Sequence, residues 1–388
     1  MISLLSKIFI KNRTEYSDPA VRKKYGTLTG FVGILLNVLL FAGKFIAGTL
    51  SGAISITADA FNNLSDAGSS IISMAGFYAA DKKPDSDHPF GHGRMEYISG
   101  LIVSVLIIIM GFELGKSSVE KIFNPVNVNE SPLTIAVLAA AILIKLYMFA
   151  YNRLYGARIK STAMKATAID SVSDAAATSV VLVSVLVNHF AGVNIDGYAG
   201  AAVSCFIMFA GIKAIKETTD PLLGRAPDGE YIRQIREIVL SYEEIIGVHD
   251  ILVHDYGPGR CMVTLHGEVP EDGGIRELHD AIDRCERELR EKLGCYATIH
   301  MDPTAENNEV LNRLRRDVQT KISEYDKNIT IHDFRLVGLK GGCGQVIAFD
   351  AVIPMKYKKS DAQIKEKLEN IVSGMCEGYQ SIIDIDRE

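Results

Sequence analysis

The sequence predicts a polytopic α-helical membrane protein, with six spanning helices followed by two small α/β units in tandem. Three observations carry this expectation. The chain is 48% hydrophobic although 23% of its 388 residues are charged, and a mean hydropathy of +0.15 is high for a water-soluble protein. The apolar residues are concentrated between residues 28 and 216, in long runs with short breaks. Beyond Pro227, charged residues recur at every helical turn.

A hydrocarbon core about 30 Å thick takes roughly 20 apolar residues per helix. Six segments meet that length: 28–50, 53–79, 95–118, 132–151, 164–190 and 195–215. The second and fifth have the weakest hydropathy, because each carries aspartates at its centre. The start, MISLLSKIFIKN, is short, has no small-residue cleavage site and runs directly into charge, so no signal peptide is expected. The domain plan is therefore an N-terminal segment 1–27, a membrane part 28–217, a first α/β unit 226–303 and a second 305–388.

Basic residues set the expected orientation. Lys7, Lys11, Arg13, Arg22, Lys23 and Lys24 precede the first span; Lys82, Lys83 and Arg94 follow the second; Arg153, Arg158 and Lys160 follow the fourth; Lys213, Lys216 and Arg225 follow the sixth. The first and fifth connections, GTLSGAIS and NHFAGVNID, carry neither Lys nor Arg. Both termini and the charged half are expected to face the cytoplasm. A net charge of −6 argues against nucleic acid as a partner. The six cysteines form no CxxC pair, which fits a reducing compartment and buried small residues.

The chemistry is concentrated in the second and fifth spans. NNLSD places Asn62 and Asp66 one helical turn apart, with Asp59 a further turn back and Asn63 beside them; DSVSD places Asp170 and Asp174 at the same spacing. Ser65, Ser69, Thr167, Ser171 and Ser173 read as hydrogen-bonding glue between helices. The aspartates do not, because unpaired carboxylates within a bilayer need a cation or protons to neutralise them. Two helices that each offer a pair of oxygen donors can enclose a divalent ion. Three carboxylates and a carboxamide are hard donors, which suit Mn²⁺, Mg²⁺ or Ca²⁺ better than Zn²⁺.

The six-helix plan, the two quartets, the loop HPFGHGRMEY and the tail motifs VHD and IHMDP together resemble the cation diffusion facilitator family of divalent-metal transporters, across roughly residues 20–303. Zinc-transporting members place His where this chain has Asp170, so the resemblance is to the manganese-exporting branch. It implies a ferredoxin-like cytoplasmic domain and a plasma-membrane homodimer that moves metal outward by alternating access as protons move inward. No cofactor is implied beyond the transported ion, with Zn²⁺ or Fe²⁺ as alternatives to Mn²⁺. Asn62, Asp66, Asp170 and Asp174 would be the transport ligands, and Asp85, His88 and His92 a second metal site in the loop. His249, His266, His279, His300 and Asp302 would hold metal in the tail and close the dimer. Members pair the basic residue at Arg94 with an acid just past the sixth span; this chain has Gly224 there, leaving Asp220 as the expected substitute.

After Pro227 the pattern runs helix, strand, strand, helix, strand, and then repeats. IHDFRLV matches VHDILVH, FDAVIP matches LHGEVP and IIDID matches TIHMD. The positions of His249, His266, His300 and Asp302 become His332, Asp350, Asp384 and Asp386. A carboxylate-rich set fits either a harder metal site or a solubilised surface, and packing is the expected role of the copy. GLKGGCGQ, residues 338–345, has no GK[ST] and no helix after it, so a hairpin turn is expected and not a phosphate loop. DxxxD without GxGD excludes an intramembrane aspartyl protease. A metal sensor that does not transport is the remaining different class, and paired intramembrane carboxylates favour transport over it.

Overall fold

A computed structural model describes residues 2–16, 18–51, 54–124, 132–191, 193, 195–304, 309–338, 345–375 and 380–387. The chain forms two compact units, one of residues 1–227 with 253–262, the other of 228–252 with 263–388.

In the first unit a short helix, α1 (Ile2–Phe9), precedes six long ones: α2 (Pro19–Ser51), α3 (Ile54–Ala80), α4 (Met95–Phe123), α5 (Pro132–Arg158), α6 (Thr162–Ala191) and α7 (Asp196–Thr219). Among the described residues, five of these, α2, α4, α5, α6 and α7, are long and apolar enough to cross a membrane. α3 has the length, at 27 residues, and carries the polar run DAFNNLSDAGS. Phe31, Leu35 and Leu39 of α2 and Ile98, Ile102 and Val105 of α4 are exposed, as a lipid-facing stripe requires. The buried stripe of α4 includes the small residues Ser99, Gly100, Ser104, Gly111 and Ser118. It packs closely on α7: a Cβ on Gly200 would meet Ser118 Oγ at 2.3 Å, which is the way helices associate where lipid removes the hydrophobic drive.

α2 begins at Pro19, ahead of the apolar run, because Pro favours a first helical turn and the charged turns VRKK continue the helix. α1 is not expected from the sequence. Its end is anchored by Ile2 and Ile10, which join Tyr25, Met148 and Tyr155 in one buried cluster. Arg22 of α2 donates to both oxygens of Glu96 on α4 at 3.3 and 3.1 Å, and both side chains are buried. Removing one partner of such a pair costs about 3–5 kcal/mol, because the other charge stays buried. Glu96→Ala should therefore lower the thermal midpoint in detergent clearly, while Lys23→Ala, which removes an exposed pair with Asp81, should shift it little. Equal shifts would contradict the assignment.

Two expectations are corrected. Arg94 does not pair with Asp220: its Nε and Nη2 donate to the main-chain carbonyl of Asp255 at 3.0 and 2.7 Å, and its guanidinium lies over Tyr256. Of the described cysteines, Cys285 and Cys295 are buried as expected, but Cys205 is exposed on α7, where an apolar thiol can face lipid. Cys343, Cys376 and the turn at 339–344 lie outside the described residues.

The second unit has the order α8 (Gly229–Val239), β1 (Gly247–Asp255), β2 (Cys261–Pro270), α9 (Ile275–Leu293), β3 (Cys295–Thr304), α10 (Glu309–Tyr325), β4 (Thr330–Gly338), β5 (Gln345–Ile353), α11 (Asp361–Met375) and β6 (Gln380–Arg387). The strands form two three-stranded sheets, β1-β2-β3 and β4-β5-β6. β4 pairs antiparallel with β5, and β5 parallel with β6. α9 buries Leu278, Ala281, Ile282, Cys285 and Leu289, one stripe of a 3.6-residue period, and stops at Gly294 in the left-handed conformation. Val318 and Ile322 of α10, Ile364, Leu368 and Val372 of α11, and Ile347 and Phe349 of β5 close the corresponding core.

Candidate metal centres

The first centre lies among α3, α5 and α6. Helical spacing puts Asp170 and Asp174 on one face of α6, and α3 brings Asp66 to it, so that one oxygen from each carboxylate falls within 4.8 Å of the others. The register of the two helices is fixed by a 2.8 Å hydrogen bond between the hydroxyls of Ser73 and Thr167, in the glue role expected of Thr167. Asp66 and Asp170 are each 3% exposed.

The cavity here holds about 300 Å³, and Asn62 and Asn63 also line it. The side chain of Asp59 lies outside the described residues.

Sequence reasoning missed a cation at the centre of this group. Lys145 of α5 donates from Nζ to Asp66 Oδ2 and to Asp174 Oδ2, both at 2.6 Å, with its side chain only 4% exposed. Asp66 Oδ1 and Asp170 Oδ1 are buried with no hydrogen-bond partner, and such orphaned acceptors are costly in a low-dielectric interior. Lys44 and Glu113 also line the cavity. Four carboxylates and two ammonium groups thus line one cavity. The arrangement has hard donors, unsatisfied oxygens and an excess of carboxylates with which to hold a divalent cation.

The loop residues also converge. Asp85 accepts the His88 backbone N–H at 2.7 Å, and this bond above all holds its carboxyl below the usual range. His88 Nδ1 and His92 Nε2 lie 3.3 and 3.5 Å from the two oxygens of Asp85. A Gly-rich turn thus folds three potential ligands together on the surface.

In the second unit, His249, His266 and Asp302 form a cluster. His266 Nδ1 lies 2.8 Å and His249 Nε2 3.2 Å from Asp302 Oδ2, and His300 Nε2 lies 3.3 Å from Asp302 Oδ1. Glu268, which the sequence reading did not single out, approaches His249 Nδ1 at 3.4 Å. Asp302 and then Glu268 favour the charged imidazolium and raise His249 to about 10. His279 is apart from this group, on an exposed face of α9 beside Asp283 at 3.8 Å.

The sequence matches the cation efflux transmembrane domain over residues 30–223 and the cation efflux protein cytoplasmic domain over residues 227–304. It is 33% identical over 249 residues to an uncharacterized transporter of Methanocaldococcus jannaschii, covering 64% of this chain and 88% of that protein. It is 31% identical over 286 residues to the manganese efflux system protein MneS of Bacillus subtilis, covering 72% of this chain and 96% of that protein. With the cation-efflux pump FieF of Escherichia fergusonii the identity is 24% over 287 residues, covering 73% of this chain and 95% of that protein.

Proposed function

The chain belongs to the cation efflux family of divalent-cation transporters, and from that premise we propose that it exports Mn²⁺ from the cytoplasm in exchange for protons. The observation that carries the reading is the convergence of Asp66, Asp170 and Asp174 on one buried cavity in which carboxylates outnumber ammonium groups. Asn62 supplies a neutral carbonyl oxygen to the ion, and water fills the remaining positions of a roughly six-oxygen shell. The all-oxygen donor set supports Mn²⁺ over Zn²⁺, as does the likeness to a relative named as a manganese efflux protein.

All six long helices, α2 to α7, span the plasma membrane in this reading, with both termini in the cytoplasm. The second unit holds a ferredoxin-like domain and its tandem copy. Two chains form the working dimer, and each alternates the site between the two membrane faces. Lys145 is the tethered cation of the empty site: the metal must displace its ammonium from Asp66 and Asp174. Once the metal leaves outward, Lys145 and inward-moving protons neutralise the carboxylates. The loop set of Asp85, His88 and His92 and the His249, His266, His300 and Asp302 cluster hold further ions, with His279 left for contacts at the dimer.

Mn²⁺ accumulation in proteoliposomes carrying a pH gradient tests the transport reading. Asp170→His tests selectivity within it, because an imidazole in place of one carboxylate favours borderline ions over Mn²⁺. The variant should move the Zn²⁺-to-Mn²⁺ flux ratio by roughly tenfold, the effect of about 1.4 kcal/mol. An unchanged ratio would show that the α6 donor does not set selectivity.

A further inference from the structure

The side chain of His332 on β4 is only 13% exposed, and both of its ring nitrogens are enclosed without a hydrogen-bond partner. A buried imidazole whose nitrogens lack hydrogen-bond partners and which is set among carboxylates is suited to coordinate a metal ion. The sheet register supplies the neighbours. His332 stands opposite Asp350 on β5, Asp350 stands beside Asp384 on β6, and Val352 stands beside Asp386. His332, Asp350 and Asp386 therefore share one face of the sheet.

A fourth donor comes from the other α/β copy. Asp250 and Asp333, each following the matched histidine His249 or His332, both have left-handed backbones, with φ of 50° and 48°. Few residues other than glycine adopt that conformation, and its occurrence at both positions marks the same distortion in β1 and β4; in β4 it coincides with a register shift between His332 and Arg335. The two histidine rings then meet at a tilt of 47° with centroids 4.7 Å apart, and Asp250 Oδ1 reaches to 4.0 Å from His332 Nε2. Asp386 Oδ2 is 3.4 Å from the same nitrogen.

We propose that Asp250, His332, Asp350 and Asp386 form a divalent-metal site that joins the two α/β copies, with a preference for Mn²⁺-class ions. One ligand atom from each of the four lies within 4.8 Å of the other three. Metal–ligand bonds of about 2.2 Å place trans donors about 4.4 Å apart, so the group needs to contract by only a few tenths of an ångström. Three carboxylates and one imidazole suit a first-row ion that favours oxygen. All four residues are partly buried, which sets them apart from a solvated surface. Three carboxylates thus gather around one imidazole, and a divalent cation is the counter-ion that such a group calls for. Asp384, by contrast, is 75% exposed and 3.9 Å from Lys365. This inference is independent of transport, because it concerns only how the two copies are held together.

The test uses the full-length chain in detergent with Asp66, Asp170 and Asp174 replaced by Asn, which removes the proposed cargo site. Mn²⁺ bound per chain is counted by equilibrium dialysis, and nitrogen coupling to bound Mn²⁺ is read by pulsed electron paramagnetic resonance. Asp350→Asn with Asp386→Asn should lose one tightly bound Mn²⁺ per chain, while Asp384→Asn should lose none. The double variant should also melt no lower than its parent in the absence of metal, since the change relieves repulsion, and should lose the rise in melting temperature that Mn²⁺ gives the parent. His332→Ala should remove the matching nitrogen coupling. An unchanged Mn²⁺ count in the double variant would overturn the proposal. So would an equal loss from Asp384→Asn, or a parent whose melting temperature Mn²⁺ does not raise.

Discussion

Asp66→Ala is expected to leave a folded dimer that carries no Mn²⁺ flux above background. Asp66 contributes one carboxylate to the cavity and takes one of the two hydrogen bonds from Lys145. Without it, Lys145 keeps Asp174 at 2.6 Å, so the buried ammonium is still paired and the helices still pack. The ion, however, loses its α3 carboxylate, and the cavity loses one of the four acidic side chains that line it. Outer-shell partners alone are worth 10–100-fold in metal affinity, so loss of a direct ligand should reduce flux by about 100-fold or more. Size-exclusion chromatography beside the flux assay separates this from misfolding. A variant that is dimeric and transports normally would remove the α3–α6 cavity from consideration.

Lys145→Met should behave in the opposite way toward binding. Methionine fills much of the same space, but the competitor for Asp66 and Asp174 is gone. If the lost pairing is about 3 kcal/mol, the apparent affinity for Mn²⁺ should tighten by about 100-fold. Release should slow in step, so the maximal flux should fall while the half-saturating Mn²⁺ concentration also falls. A purely structural lysine would lower flux without tightening binding. The separation of KM from maximal rate therefore distinguishes a displaced cation from a packing residue, and unchanged values of both would show that Lys145 does not take part.

What could be read from the sequence followed how local the determinant is. The i, i+4 spacing of Asn62 with Asp66 and of Asp170 with Asp174 translates directly into a shared helix face, so the carboxylate cage was visible before any coordinates. The strand and helix order of the tail followed in the same way from periodicity. Lys145 was not found because one lysine in an apolar span registers only as a dip in hydropathy. The signal was still present: an intramembrane charge requires a partner, and the three aspartates already singled out were carboxylates within spanning segments. Lys44 carried the same signal. Glu268 was missed because its approach to His249 depends on how strands pair, not on spacing along one strand.

The tail repeat shows the same limit at a larger scale. The match of VHD to IHD was legible, and so was the change from imidazoles to carboxylates. The reach of Asp250 to His332 was not, because it depends on a distortion in each strand and on the way one sheet faces the other. The Arg94 expectation failed for a related reason: a main-chain carbonyl, here that of Asp255, can satisfy a guanidinium as well as a carboxylate can, and sequence reading counts only side chains.

The most direct test of the central claim is metal flux by the purified protein in proteoliposomes with an imposed pH gradient, comparing Mn²⁺ with Zn²⁺ on one preparation. Mn²⁺ movement that exceeds Zn²⁺, collapses when the gradient is dissipated and vanishes in Asp66→Ala is the predicted result. Zn²⁺ flux exceeding Mn²⁺, or Mn²⁺ flux indifferent to the gradient, would contradict it.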